Sequence, residues 1–145
     1  MTENPAFRPF RKEQTLISHI DHLVLTVRSL EDTCLFYERV LGFQRENSPG
    51  KPTSLAFGSC KFNVHETAHT FDPKAHTPTP GSADFCLITS DSITTIISLL
   101  KAKGVTIEEG PVQREGAQGE MFSVYFRDPD QNLIEVSSYG SHDRR

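Results

Sequence analysis

The chain has 145 residues, with 15 Lys and Arg against 19 Asp and Glu, for a net charge of −4. That length suits one domain able to bury about two thirds of its unfolded surface, and an acidic balance without a long Lys/Arg run gives no electrostatic footprint for nucleic acid. No stretch reaches the ~18 apolar residues of a membrane span and the N-terminus lacks a basic-then-apolar secretory pattern, so a cytoplasmic protein with neither membrane nor nucleic-acid partners is expected.

Residues 1 to 17 carry Pro5, Pro9 and scattered charges and read as a tail. From Ile20, the alternation of Ile20, His22, Val24 and Thr26 against Asp21, Leu23, Leu25 and Val27 predicts a strand with two different faces. A helix follows: Ser29 can cap it with Asp32 three residues on, Leu30, Phe36, Tyr37, Val40 and Leu41 form its apolar stripe, and Gly42 ends it. Strands are predicted over 43–46, 54–57 and 61–65, separated by Ser48-Pro49-Gly50 and Gly58-Ser59 turns.

Residues 67 to 82, with Pro73, Pro78, Pro80 and Gly81, read as a linker. The order then repeats: a strand over 84–89, a helix from Asp91 to Lys103 and a short strand over 106–108. A long loop from Gly110 through Gly119 is expected next, of a length that can serve as a lid or substrate contact. Strands over 121–127 and 133–138 flank the turn Asp128-Pro129-Asp130-Gln131-Asn132.

His22 and Asp84 thus open equivalent strands, and each is followed twenty positions later by the glycine, Gly42 or Gly104, that ends the next helix. This is one unit present twice in pattern and position, with almost no shared identity. The predicted organisation is a single domain over 18–139, with module one at about 18–66, a linker at 67–82, module two at about 83–139, and a tail from 140 to 145. Cys34, Cys60 and Cys86 form no Cys-x-x-Cys pair and are odd in number, which predicts buried thiols rather than a disulfide framework. No nucleotide-cradling loop, Gly-x-Ser-x-Gly or His-Glu-x-x-His motif is present, so no nucleotide cofactor is expected.

The runs Ile20 to Val27, Phe36-Tyr37 through Val40-Leu41-Gly42-Phe43, and Phe126-Arg127-Asp128-Pro129-Asp130-Gln131-Asn132-Leu133-Ile134-Glu135-Val136 resemble the vicinal oxygen chelate superfamily. That group includes glyoxalase I, thiol-transferase resistance proteins, extradiol dioxygenases and bleomycin-binding proteins. Lys61 to Glu66, followed by Pro78 to Asp84, is similar to the small bacterial glyoxalase-domain proteins, some of them virulence-associated. The resemblance implies an α+β fold in which two tandem βαβββ modules form a curved, half-open, eight-stranded barrel. It also implies a homodimer.

The resemblance further implies metal ligands on the first and last strand of each module, which are His22 and Asn63, then Asp84 and Glu135. His65 lies two residues beyond Asn63 on the same strand face and can stand in its place. The expected ligands are therefore His22, His65, Asp84 and Glu135 around one divalent ion, either Ni, Co, Fe, Mn or Zn. Plainer alternatives are a hydrogen-bonded core role for the histidines, a turn cap for Asp84, and a buried, partnered carboxylate for Glu135. By resemblance the expected activity is that of a metal-dependent, lactoylglutathione lyase-like enzyme, acting on a small oxygen-chelating substrate such as a glutathione adduct. Glu135 is the expected proton acceptor, with Asp84 behind it. The alternatives are a binding or resistance protein without chemistry, a thiol transferase, or an extradiol dioxygenase on the same scaffold.

Overall fold

The computed structural model describes residues 15–140. The expected N-terminal tail up to residue 14, and residues 141–145 with His142, lie outside the described residues. Module one runs β1 (His22–Val27), α1 (Leu30–Leu41), β2 (Gln44–Glu46), β3 (Thr53–Phe57) and β4 (Cys60–Glu66). Module two runs β5 (Asp84–Ile88), α2 (Ile93–Ala102), β6 (Glu109–Gly116), β7 (Gly119–Arg127) and β8 (Leu133–Ser138). Each module forms a four-stranded sheet, ordered β1-β4-β3-β2 and β5-β8-β7-β6. The first and last strands of each module pair in parallel and every other pairing is antiparallel. This is the duplicated α+β architecture that the sequence pattern predicts.

Local chemistry sets the helices. Ser29 is extended, and its hydroxyl accepts the Asp32 N–H at 3.2 Å; Glu31 and Asp32 complement the positive end of α1. Gly42 closes the helix at φ 72, a left-handed conformation that glycine adopts without a Cβ penalty. Thr33, Cys34, Tyr37 and Val40 form the buried face. Ser92 caps α2 in the same way, accepting from Thr95 N at 3.2 Å. Among the described residues no helix is long and apolar enough to cross a membrane.

Alternation then decides which side of each sheet is covered. Leu25, Val27, Leu55, Phe62 and Val64 from module one are buried, as are Val124, Phe126, Ile134 and Val136 from module two, and together they form one core. Phe62 sits at its centre, with ring centroids 5.8 Å from Tyr37, 5.0 Å from Phe57 and 5.1 Å from Phe85 of the other module. The intervening strand residues face the other way, so each sheet keeps a second, more open face. His22 and Val24 on β1 and Asp84, Cys86 and Ile88 on β5 are exposed there.

The turn between β7 and β8 joins the modules. Asp128 Oδ1 accepts the backbone N–H groups of Asp130 and Asn132 at 2.9 and 3.0 Å, while Oδ2 accepts Asn132 Nδ2 and Tyr37 Oη, both at 2.8 Å. Asn132 Oδ1 in turn accepts Ala83 N at 2.9 Å, and Asp130 Oδ1 accepts the N–H and guanidinium of Arg28 at 3.2 and 3.1 Å. The Asp-Pro-Asp-Gln-Asn motif is therefore a structural clasp, because each of its buried polar side chains is satisfied by a defined partner.

One predicted segment is corrected. The expected strand over 106–108 and the loop from Gly110 to Gly119 are replaced by β6, which pairs with β7 from Glu109 to Gly116 and turns tightly into Gly119. Gly110 and Pro111 suggest a loop, yet β6 is an edge strand, where a missing N–H disrupts no ladder, and the register shift between Glu109 and Val112 absorbs the proline. No lid is formed by this segment.

Candidate functional site

The register of module two places a row of polar side chains across its open face. Cys86 on β5 pairs with Glu135 on β8, Glu135 pairs with Tyr125 on β7, and Tyr125 pairs with Glu109 on β6. The next row pairs Ser137 with Ser123. Ser137 Oγ donates to Glu135 Oε2 at 3.2 Å, which leaves its oxygen to accept from Ser123 Oγ at 2.6 Å and from the Cys86 thiol at 3.2 Å. One hydroxyl hydrogen thus fixes the direction of the whole chain and points it at the half-buried Glu135 carboxylate.

On the other side of Glu135, Arg114 Nε donates to Tyr125 Oη at 3.0 Å, its guanidinium lies 5.5 Å from the Tyr125 ring centroid, and Nη2 reaches Glu109 at 3.1 Å. Desolvation raises the Tyr125 phenol above its ordinary value, opposed by the Arg114 hydrogen bond and reinforced by the charge of Glu135 and a hydrogen bond to it. Desolvation also raises the Cys86 thiol, so it stays protonated. The expectation of three buried thiols holds for Cys34 only. Cys86 is exposed because its strand position faces away from the core, and Cys60, on the core side of β4, is partly exposed at the strand's first residue.

Module one presents a different set. His22, at the start of β1, is 45% exposed in its side chain and pairs with Asp21 Oδ1 at 2.9 Å. A hydrogen bond from His22 lowers the Asp21 carboxyl below its usual range. Val24 pairs with Asn63 as Cys86 pairs with Glu135 in module two, so Asn63 is the register counterpart of Glu135. His65 pairs with Thr26 and corresponds instead to Ser137, which pairs with Ile88. His65 is only 4% exposed, beneath the linker, with its ring 5.3 Å from that of Phe71. Desolvation, then the charge of Lys74, lowers its imidazole below the ordinary histidine value.

Asp84 is exposed at the start of β5; the Arg127 guanidinium is raised first by its hydrogen bonds to Glu108 and, less, by the charge of Asp84. His69 packs its ring against Phe71 at 5.4 Å, and His76 is exposed in the linker next to Thr77. Among the described residues, no three His, Cys, Asp or Glu side chains converge on a metal-sized position. The imidazole and carboxylates of His22, Asp84 and Glu135 suit a divalent ion by chemistry. Within one chain they do not assemble into a site for it.

Cys86, Ser123, Ser137, Tyr125 and Arg114 are the site residues that sequence reasoning missed. Four of them carried a usable signal. Counting by twos from Glu135 reaches Ser137, and closing the hairpin over Asp128 to Asn132 sets Tyr125 and Ser123 opposite the pair, with Cys86 two residues past Asp84. Arg114 was hidden in the segment read as a loop.

Two mixed sheets with parallel first and last strands and one helix each define a duplicated α+β fold, with a polar open face on module two. Residues 19–136 match the model of the Glyoxalase/Bleomycin resistance protein/Dioxygenase superfamily, and the chain belongs to that superfamily. It is 51% identical over 126 residues to virulence protein STM3117 of Salmonella typhimurium, covering 87% of this chain and 88% of that one. It superposes on the crystal structure of that protein with a TM-score of 0.84 over 87% of this chain and all of the other. It is also 43% identical over 129 residues to the glyoxalase domain-containing protein RDO1 of Mycosarcoma maydis, covering 89% of this chain and 73% of that one. A lactoylglutathione lyase from Agrobacterium tumefaciens, 22% identical with a TM-score of 0.66 over 86% of this chain and 96% of its own, shares the fold.

Proposed function

We propose that the protein is a glyoxalase-type lyase or isomerase that holds a small, oxygen-rich substrate against the open face of module two. The observation that carries this reading is the Glu135 carboxylate, oriented by Ser137 on one side and paired across the strands with Tyr125, which Arg114 backs, on the other. A positioned carboxylate at an open face can accept a proton from a carbon next to a carbonyl. Arg114, backed by Tyr125, supplies positive charge where the oxygen becomes negative. Asp84, at the rim of the same face, is the second candidate for moving a proton.

A divalent ion fits this chemistry only if two copies share it. Val24 and Ile88, 46% and 58% exposed, leave apolar surface on both open faces. In a homodimer that covers them, His22 and Asn63 of one copy with Asp84 and Glu135 of the other are the residues that would hold the ion. When bound there, such an ion would act as a Lewis acid on the substrate oxygens.

The test is turnover of methylglyoxal plus glutathione by protein loaded in turn with Ni, Co, Mn, Fe and Zn. Wild type should turn over with at least one ion, and Glu135→Gln, which keeps the shape and loses the base, should fall by about a hundredfold or more. Undiminished turnover by Glu135→Gln would remove the proposed role. That no three ligand side chains converge among the described residues of one chain favours a second reading, in which the same face binds a small molecule without chemistry. Saturable binding of substrate with no turnover under any of the five ions would select it.

A further inference from the structure

The linker between the modules roofs a cavity of about 150 Å³ against β1 and β4, apart from the open face of module two. A cavity of that size admits about six heavy atoms, the size of a benzene ring. Among the described residues its ionisable lining is His65 and Lys74, with no aspartate or glutamate facing it. Val24, Leu25 and Pro78 give it an apolar side.

His65 is 96% removed from solvent, lines this cavity, and makes no hydrogen bond to any described residue. Among the described residues only Thr33 Oγ1 is both sealed and unpartnered, so the His65 ring nitrogens stay open to the cavity and can bond to what it holds. Lys74 Nζ donates to Thr70 Oγ1 at 2.8 Å and lies 3.8 Å from the exposed Asp72 carboxylate, and an ammonium has three donors. The hydroxyl hydrogens of Thr79 and Ser82 go to linker carbonyls at 3.1 and 2.7 Å, so the charged donor in the cavity is Lys74, with His65 and the Thr26 hydroxyl beside it.

We propose that this cavity is a binding site for a small organic carboxylate, its charge on Lys74 and His65 and its short hydrocarbon part against Val24, Leu25 and Pro78. The site is independent of the chemistry assigned to Glu135. A neutral amide would lose the charge-assisted bonds, and a fully solvated inorganic oxyanion would gain nothing from the apolar side.

The test uses metal-free, full-length protein in the presence of chelator, titrated with propionate, propionamide and inorganic phosphate while the histidine-ring and backbone NMR signals are followed. Propionate should bind saturably, shifting His65 and residues 74–79. Propionamide should bind at least about tenfold more weakly, as should propionate to Lys74→Met, an exposed-residue change that leaves the core intact. His65→Gln should also weaken binding, and Glu135→Gln should not. Absence of saturable binding, equal affinity for the amide, equal affinity of Lys74→Met, or shifts centred on Glu135 would each overturn the proposal. Phosphate binding more tightly than propionate would overturn the carboxylate assignment.

Discussion

The Tyr37 hydroxyl donates to Asp128 Oδ2 at 2.8 Å across 91 residues of sequence, joining α1 of module one to the β7–β8 turn of module two. Both residues are buried, and Asp128 already receives three other hydrogen bonds. Tyr37→Phe keeps the ring and removes one donor from a buried carboxylate, which should cost about 1.5 to 3 kcal/mol. Urea denaturation checks this as a lowered midpoint with an unchanged slope. Burial first, then the charge of Asp128, holds the Tyr37 phenol far above its ordinary value, so it stays protonated in the fold. The unfolded chain releases that proton above about pH 10 and the folded one does not. Stability from this group is therefore complete below pH 10 and declines at up to about 1.4 kcal/mol per pH unit above it. Tyr37→Phe should lack that part of the alkaline decline.

If two copies share each site, variants damaged in opposite modules should rescue one another. His22→Ala and Glu135→Gln should each be inactive alone. Dissociated and reassembled together in equal amounts, they should recover about a quarter of wild-type turnover, because half the dimers are mixed and each mixed dimer has one intact site. No recovery, with mixed dimers shown by mass spectrometry, would place each site within one chain.

The register counterpart of Glu135 is Asn63, whereas His65 lies under Phe71. Asn63→Ala should therefore weaken metal binding more than His65→Ala does, by about tenfold or more for the former in calorimetric titration. The reverse order would return His65 to the ligand set and require the linker to move.

Gly81 has φ +81, and a Cβ built on it would stand 2.6 Å from the Asp130 carbonyl oxygen, a backbone atom in the clasp. Gly81→Ala should cost about 2 kcal/mol or more. Gly50 has a similar φ of +72 but open space around it, so Gly50→Ala should cost only about 1 kcal/mol. Thermal melts of the two variants check the difference.

The duplicated βαβββ order was legible because each strand and helix announces itself locally. Alternation around His22 and Asp84, the serine caps and Gly42 all act within a few residues. β6 was not legible, since Gly110-Pro111 forbids a central strand and nothing nearby reveals that the strand lies at an edge. Period-two spacing put Asn63 and His65 on one face but could not rank them, because register is a relation between β1 and β4 and the linker's cover over His65 is tertiary. Arg114 was lost with β6. Whether His22, Asp84 and Glu135 converge depends on how whole faces meet, a property to which no single stretch of chain corresponds.

The parallel pairing of β1 with β4, and of β5 with β8, also constrains how the chain folds as it is made. Neither opening strand can find its neighbour until the rest of its own module has been synthesised, so each sheet closes late and over a long loop. Module one can nevertheless finish while module two is still being translated, and Tyr37 then waits for Asp128 from the last part of the chain. A partially made chain would therefore carry one completed sheet with an uncovered flank around Phe62, the interval in which it is most open to aggregation and in which a chaperone has most to protect.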